Sequence, residues 1–160
     1  MTKVGVISDI HGNLTQEVID HLQACEYIVC AGDTEDLRLI EQMRALAPLT
    51  VVRGNCDWRP WAEELPKDAL LRVEDVNIYV LHNLHNLSFA PDPHKIDVVV
   101  YGHTHVYKQY YSEDVLYLNP GSVSEPRQGQ SPHMYILEIE GKSIHIQDVD
   151  LATSRSTHWW

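Results

Sequence analysis

The sequence predicts an α/β fold built from two β-sheets packed face to face. Near the start of the chain, short apolar runs rich in β-branched residues alternate with amphipathic helical patterns, as in βαβ units. In the second half, apolar runs follow one another across segments that are mostly too short for helices. The 160 residues can bury one sizeable core, so we predict a single domain over residues 1–160. We expect a mixed first sheet and a largely antiparallel second sheet.

The βαβ pattern predicts parallel strands that are joined by two helices. The strands are expected over residues 3–8, 27–30 and 49–53. Asn13 or Thr15 is a suitable N-cap for the first helix and Thr34 for the second, which Pro48 ends. Right-handed crossovers bring the carboxyl ends of such strands to one edge of the sheet, where ligands bind.

The second half of the chain predicts a run of strands. They are expected over residues 70–73, 77–82, 96–101, 106–111, 115–118, 133–140 and 143–149. Glu113-Asp114 and Gly141-Lys142 have the composition of hairpin turns. No internal repeat, low-complexity tract or interdomain linker interrupts the pattern.

Composition restricts the functional classes. The chain has 23 acidic residues against 12 Lys and Arg, which disfavours non-specific binding to nucleic acid or to an anionic membrane. No apolar stretch is long enough to span a membrane, and Met1 leads into a strand without a signal peptide, so we predict a cytoplasmic protein. Cys25, Cys30 and Cys56 form no Cys-x-x-Cys pair, which argues against a disulfide framework and a thiolate zinc site.

Acids, an amide and imidazoles stand at the ends of the apolar runs. These segments are Ser8-Asp9-Ile10-His11, Gly32-Asp33, Gly54-Asn55-Cys56-Asp57, His82 and Gly102-His103-Thr104-His105. Each one taken alone has an ordinary explanation as a helix cap, a turn or a surface residue. Their repetition after successive strands favours a metal site at one edge of the fold. Oxygen and imidazole donors without thiolate suit Mn²⁺, Fe²⁺ or Zn²⁺ better than Mg²⁺ or Ca²⁺.

The order of these motifs resembles that of the calcineurin-like metallophosphoesterases, and most closely their small YfcE-like phosphodiesterase branch. The matching stretches are residues 8–12, 53–57, 101–105 and 119–124. The resemblance implies a four-layer αββα sandwich of two mixed sheets flanked by helices. It also implies an enzyme that hydrolyses phosphodiesters with two divalent metal ions, of which manganese is our prediction and zinc, iron, nickel, cobalt or magnesium are the alternatives.

The resemblance also assigns the metal ligands. The first ion would be held by Asp9, His11, Asp33 and His105. The second would be held by Asp33, Asn55, His82 and His103. Asp33 would bridge the ions and hold an attacking hydroxide between them. Asp57 and Cys56 are the candidates for supporting these ligands from outside.

The sequence departs from the family pattern at two places. Cys56 stands where many relatives have a histidine that assists the leaving group, although cysteine is frequent in the YfcE-like branch. The segment 82–85 reads His-Asn-Leu-His where relatives usually read His-Gly-His, so Leu84 replaces the second imidazole unless His85 takes its place after a local shift. Arg127 is a candidate contact for the substrate phosphate, with a solvated arginine as the alternative.

We therefore predict a metal-dependent phosphodiesterase that acts on small substrates. A protein-binding scaffold of the same fold, like the retromer subunit that resembles these enzymes, is one rival, and an intact ligand set argues against it. A nuclease is the other rival, and the acidic composition disfavours it. A homodimer or tetramer is compatible with the terminal pair Trp159-Trp160, which either packs on its own domain or makes a subunit contact.

Overall fold

The computed structural model describes residues 1–151, which form ten strands and two α-helices. The strands are β1 (Thr2–Ile7), β2 (Tyr27–Cys30), β3 (Leu49–Val51), β4 (Asp68–Val73), β5 (Val76–Leu81), β6 (Val98–Val100), β7 (Lys108–Ser112), β8 (Val115–Asn119), β9 (His133–Glu140) and β10 (Ser143–Asp150). The α-helices are α1 (Gln16–Gln23) and α2 (Leu37–Leu46), and 3₁₀ turns span Pro60–Glu64 and Leu84–Asn86. Each predicted strand is present, with its ends moved by a few residues.

Both sheets have five strands and both are mixed. The first has the order β10-β9-β1-β2-β3, in which β1, β2 and β3 are parallel, as the βαβ pattern predicts. The second has the order β4-β5-β6-β8-β7. Its central neighbours β5, β6 and β8 are parallel, so the expectation of a largely antiparallel second sheet is wrong. Parallel neighbours need long connections, and the segments between these strands provide them.

Local sequence explains where the helices begin. Thr15 caps α1 by accepting a hydrogen bond from the Val18 backbone, as predicted. Asp36, not Thr34, caps α2 by accepting from the Arg38 backbone at 2.9 Å. The prediction fails because Asp33 and Glu35 adopt left-handed backbone conformations, with φ of 57° and 67°, which delay the start of the helix.

Two apolar interfaces hold the layers together. Strands of the two sheets face each other through residues such as Val4, Val6, Ile78 and Val98, all fully buried. The opposite face of the first sheet packs against α1 and α2. The alternation of side chains along each strand produces these faces. The α/β sandwich of two mixed sheets is therefore confirmed.

The outer face of the second sheet is covered differently from the first. Tyr79, Val99 and Tyr101 on this face pack against Leu84 and Leu87. The cover is thus a 3₁₀ turn and a loop, and residues 1–151 contain no α-helix there. Trp159 and Trp160 lie outside the described residues, so both readings of the terminal pair stay predictions. Among residues 1–151, no helix has the length and apolar character needed to cross a membrane.

Candidate metal centre

The predicted ligands lie at one edge of the sandwich. Asp9, Asp33 and Asn55 follow the carboxyl ends of the parallel strands β1, β2 and β3. His82 and His103 follow β5 and β6 of the second sheet. The carboxyl ends of both sets meet across the junction of the two sheets, so residues distant in sequence come together.

Each carboxylate has one oxygen held by the protein and one directed at the imidazoles. Asp9 Oδ2 accepts from Ser8 Oγ at 2.9 Å and from the His103 backbone at 3.1 Å. Asp9 Oδ1 is buried without a hydrogen-bond partner and lies 3.4 Å from His105 Nε2. Asp33 Oδ1 accepts from the Cys56 backbone at 2.8 Å, and Asp33 Oδ2 faces the histidines. An orphaned carboxylate oxygen in a buried site is costly unless a cation neutralises it.

The histidine rings are held through Nδ1. His82 Nδ1 and His105 Nδ1 each lie 2.6 Å from a backbone carbonyl oxygen, that of Ala31 and that of Glu125. His11 Nδ1 lies 2.7 Å from a Glu35 carboxylate oxygen. These partners only accept, so each Nδ1 carries the proton. In the neutral ring, the lone pair on Nε2 then faces the site, which is the arrangement of a metal-binding histidine.

One group of donors fits a single ion. Ligand atoms of Asp9, His11, Asp33 and His105 all lie within 4.8 Å of one another. His11 Nε2 and His105 Nε2 are 3.0 Å apart, and His11 Nε2 is 3.8 Å from Asp33 Oδ2. Donors bound to one ion at about 2.1 Å stand about 3 to 4 Å apart, so the spacing matches. Two facing Nε2 lone pairs repel unless a proton or a metal ion lies between them.

A second group of donors shares Asp33. His82 Nε2 lies 3.3 Å from Asp33 Oδ2 and 2.8 Å from Asn55 Oδ1. His103 Nδ1 lies 3.1 Å from the same Asn55 oxygen. Atoms that accept hydrogen bonds again converge on one point. The structure thus brings together every ligand that the resemblance assigned, in two groups with Asp33 between them.

The loops that carry these groups have an unusual backbone conformation. Asp9, His11, Asp33, His103 and His105 have positive φ values of 54°, 48°, 57°, 75° and 60°. Residues other than glycine rarely adopt this region, and such strain gathers at functional sites. Tight turns of this kind project successive side chains from each strand end towards one point.

Glycines let the strand ends approach closely. A Cβ atom on Gly54 would overlap the Asp33 carboxylate and backbone. A Cβ atom on Gly102 would overlap Ser8 Oγ and lie 2.7 Å from Asp9 Oδ2. The contacts leave no room for a side chain, which explains the glycine in each motif.

Asp57 joins two of the ligand-bearing loops. It is buried, and its Oδ2 accepts from the backbone N–H groups of Asp33 at 3.0 Å and Gly54 at 2.8 Å. Its Oδ1 accepts from Glu35 N at 2.9 Å. Asp57 therefore fixes the positions of Asp33 and Asn55 without belonging to either donor group, which is the supporting place predicted for it.

The turn at residues 119–124 has a role that its sequence did not predict. Ser122 Oγ donates to the Asp9 carbonyl oxygen at 2.7 Å, and Ser124 Oγ donates to the Ile10 carbonyl oxygen at 2.8 Å. Asn119 Nδ2 donates to the Gly102 carbonyl oxygen at 3.2 Å. The turn braces the first and last ligand loops. Its Asn-Pro-Gly-Ser composition was the available signal, but composition does not say what the turn contacts. The contact of Glu35 with His11 Nδ1 was missed too, because composition does not show which distant side chain a residue contacts.

The structure shows where Cys56 and His85, the residues at the two departures from the family pattern, lie, and where Arg127 lies. Cys56 contributes its backbone N–H to Asp33, while burial and the nearby charges of Asp33 and Glu35 raise the pKa of its thiol to about 11. His85 is exposed on the 3₁₀ turn and belongs to neither donor group, so it does not replace the missing imidazole. Arg127 is exposed, and its backbone N–H donates to the His105 carbonyl oxygen, which puts it at the rim.

The acids and imidazoles shift one another's pKa values. Burial opposes the ionisation of Asp33, but hydrogen bonding and charge attraction to His82 outweigh it and lower the pKa of Asp33. Burial likewise opposes the charged form of His82, yet Asp33 raises the pKa of that ring. The nearby Asp9 carboxylate is the main cause that raises the pKa of His105. A cation that replaces these protons must release them, so metal binding here strengthens as the pH rises.

Comparisons of the sequence agree with this geometry. Residues 2–142 match the model of the calcineurin-like phosphoesterase superfamily domain. The chain is 30% identical over 153 residues to a probable metallophosphoesterase of Methanothermobacter thermautotrophicus, with 88% of each chain covered. It is 26% identical over 174 residues to the phosphodiesterase YfcE of Escherichia coli, with 90% of this chain and 91% of the relative covered.

Solved structures show the same fold. A predicted phosphoesterase from Streptococcus pneumoniae superposes with a TM-score of 0.76 at 24% identity, covering 93% of this chain and 89% of that one. Vps29 from Chaetomium thermophilum superposes with a TM-score of 0.74 at 18% identity, covering 92% and 95%. At these identities the likeness concerns the fold and not the activity.

Proposed function

Because the chain belongs to the calcineurin-like phosphoesterase superfamily, we propose that it is a dinuclear metal-dependent phosphodiesterase acting on small substrates. The observation that carries the proposal is the convergence of imidazole nitrogens and carboxylate oxygens around Asp33. Asp9 Oδ1 is buried without a hydrogen-bond partner in the protein, which suits a cation ligand.

In this proposal, each ion has its own donors and shares one carboxylate. Asp9, His11 and His105 complete the first site. Asn55, His82 and His103 complete the second. Asp33 contributes to both, which supports a pair of ions rather than one. The mixture of carboxylate, amide and imidazole donors suits manganese, with zinc, iron, nickel, cobalt or magnesium as alternatives.

The chemistry of the pair is that of a two-metal hydrolase. When bound, the ions lower the pKa of a water molecule and neutralise charge on the phosphate group. The chain's own residues supply the preorganisation. Carbonyl groups on Ala31 and Glu125 fix the tautomer and direction of two imidazoles, and Asp57 fixes the loops of Asp33 and Asn55. Arg127 at the rim is proposed to donate to the substrate phosphate.

The direct test combines elemental analysis with a diester assay. Purified protein should bind about two equivalents of manganese and should hydrolyse bis-p-nitrophenyl phosphate when manganese is added. His105→Gln should lose both properties, because His105 Nε2 faces Asp9 and His11. His145→Gln, at an exposed position on β10, should keep both.

Three results would contradict the proposal. Metal-loaded protein that binds a protein partner but hydrolyses no diester would favour the scaffold. Faster hydrolysis of long polynucleotides than of small diesters would favour the nuclease. Binding of a single ion with full activity would exclude the dinuclear site. Assembly into a dimer or tetramer stays a prediction, which sedimentation of the full chain tests.

A further inference from the structure

An open cleft of about 800 Å³ adjoins the second donor group. Asn55 and His82 line it, together with Leu81 and Tyr79 from the end of β5. The volume lies within the range of small-molecule binding sites, which is about 300 to 1,000 Å³. The cleft is therefore large enough for an organic group attached to the phosphate, and not only for the phosphate itself.

The charged groups that can donate to a ligand in this cleft are cationic. Arg53, Lys67, Asp57 and Asp68 line it, so the formal charges cancel. The two carboxylates are already engaged, because Asp57 accepts from backbone N–H groups and Asp68 accepts from the Tyr79 hydroxyl at 2.6 Å. Lys67 is exposed, so its ammonium group can reach a bound anion.

Arg53 is held in place beside the same cleft. Its Nε donates to the Asp57 carbonyl oxygen at 3.0 Å, and its side chain is half-buried. That bond uses one edge of the guanidinium, so the terminal N–H groups can serve a ligand. A fixed arginine loses less conformational entropy on binding than a free one.

Polar residues of the segment after β5 also line the cleft. Asn83, Asn86 and Ser88 line the cleft. Asn83 Oδ1 accepts from the His85 backbone at 3.0 Å, which leaves its amide N–H groups as the polar atoms available to a ligand. Asn83 belongs to the stretch 82–85 in which the sequence departs from the family pattern.

We propose that the cleft binds one ester arm of the phosphodiester and favours arms that carry a second anionic group, recognised by Lys67 and Arg53. The inference rests on the proposed function and adds a substrate class to it. It is also compatible with the acidic composition of the chain, since an anion is recognised by the cationic donors that reach it and not by the net charge.

A matched pair of substrates tests this selectivity. Thymidine 5′-(p-nitrophenyl phosphate) is compared with the same compound carrying a 3′-phosphate, so that the scissile group is constant and only the distal charge differs. The wild-type protein should have the higher kcat/KM for the 3′-phosphorylated compound. Lys67→Gln should lower kcat/KM about five-fold for that compound and less than about two-fold for the other, as expected for one exposed ion pair.

A control variant and ionic strength separate this effect from general changes. Lys95 is exposed near the start of β5, where its carbonyl oxygen accepts from Asn77, so it lies at the opposite end of the strand from His82. Lys95→Gln should leave both substrates unchanged. Added salt should reduce the preference of the wild-type protein. Equal loss for both substrates, or no loss, in Lys67→Gln overturns the proposal.

Failure of the proposed function can be told apart from failure of this inference. Hydrolysis of bis-p-nitrophenyl phosphate tests the function alone. If no diester is hydrolysed, calorimetry compares binding of thymidine 3′,5′-bisphosphate and thymidine 5′-monophosphate to wild-type and Lys67→Gln protein. A preference for the bisphosphate that Lys67→Gln removes supports the cleft assignment. Equal affinities in the wild-type protein overturn it.

Discussion

Replacing Asp33 with asparagine tests whether one carboxylate serves two ions. Asp33 Oδ1 accepts from the Cys56 backbone at 2.8 Å, and an asparagine carbonyl oxygen can keep that bond. Asp33 Oδ2 lies 3.3 Å from His82 Nε2 and 3.8 Å from His11 Nε2. In the variant an amide N–H donor takes this place, so an anionic ligand is lost between the two donor groups.

The expected loss is large because it applies at both ions. Removal of a partner outside the ligand set typically costs 10- to 100-fold in metal affinity, so loss of a ligand should cost at least about 100-fold at each ion. Turnover of bis-p-nitrophenyl phosphate by the Asp33→Asn variant should fall to background. The fold should survive, because the backbone contact to Cys56 is kept.

Bound metal and turnover should be measured on the same samples. Elemental analysis after dialysis against buffered manganese gives the metal content, and the diester assay gives the activity. Asp36→Asn is the matched control, because Asp36 lies three residues further on and caps α2. It can affect stability but should leave both readouts unchanged. Full activity of Asp33→Asn would refute the shared ligand, and loss of only one ion would assign Asp33 to a single site.

Three further predictions follow from the same contacts. Protein treated with a chelator should be more stable at pH 6 than at pH 8, because His82 and His105 have raised pKa values in the folded state. Their contribution is complete below the unfolded pKa of about 6.5 and is lost as the pH rises through the folded values, so thermal unfolding that shows the opposite trend contradicts it. Asp57→Ala should weaken manganese binding about 10- to 100-fold in calorimetry, since the loops of two ligands lose their common acceptor; unchanged affinity would refute this. Ser122→Ala should lower the free energy of unfolding by about 1 to 3 kcal/mol in denaturant titrations, because the Asp9 carbonyl oxygen loses its donor, and an unchanged midpoint would argue against bracing.

The short-range pattern of apolar and polar residues was sufficient to predict much of the fold. The strands were predicted because apolar alternation and glycine or proline stops act within a few residues. The N-cap of α2 was misplaced because Thr34 has the right side chain but the wrong backbone neighbours, since Asp33 and Glu35 adopt left-handed conformations. The parallel pairing of β5, β6 and β8 was missed because strand order depends on contacts across the sheet.

The sequence by itself determined the donor chemistry of this protein, because it specifies the residue types that follow each strand. Only the tertiary structure decided which donors face one another, since His11 and His105 are 94 positions apart and meet at 3.0 Å. It also decided the supports, such as Ser122 and Glu35, and the cleft beside Asn55. Hydrogen bonds and cavities of this kind arise between distant segments, so no local pattern encodes them.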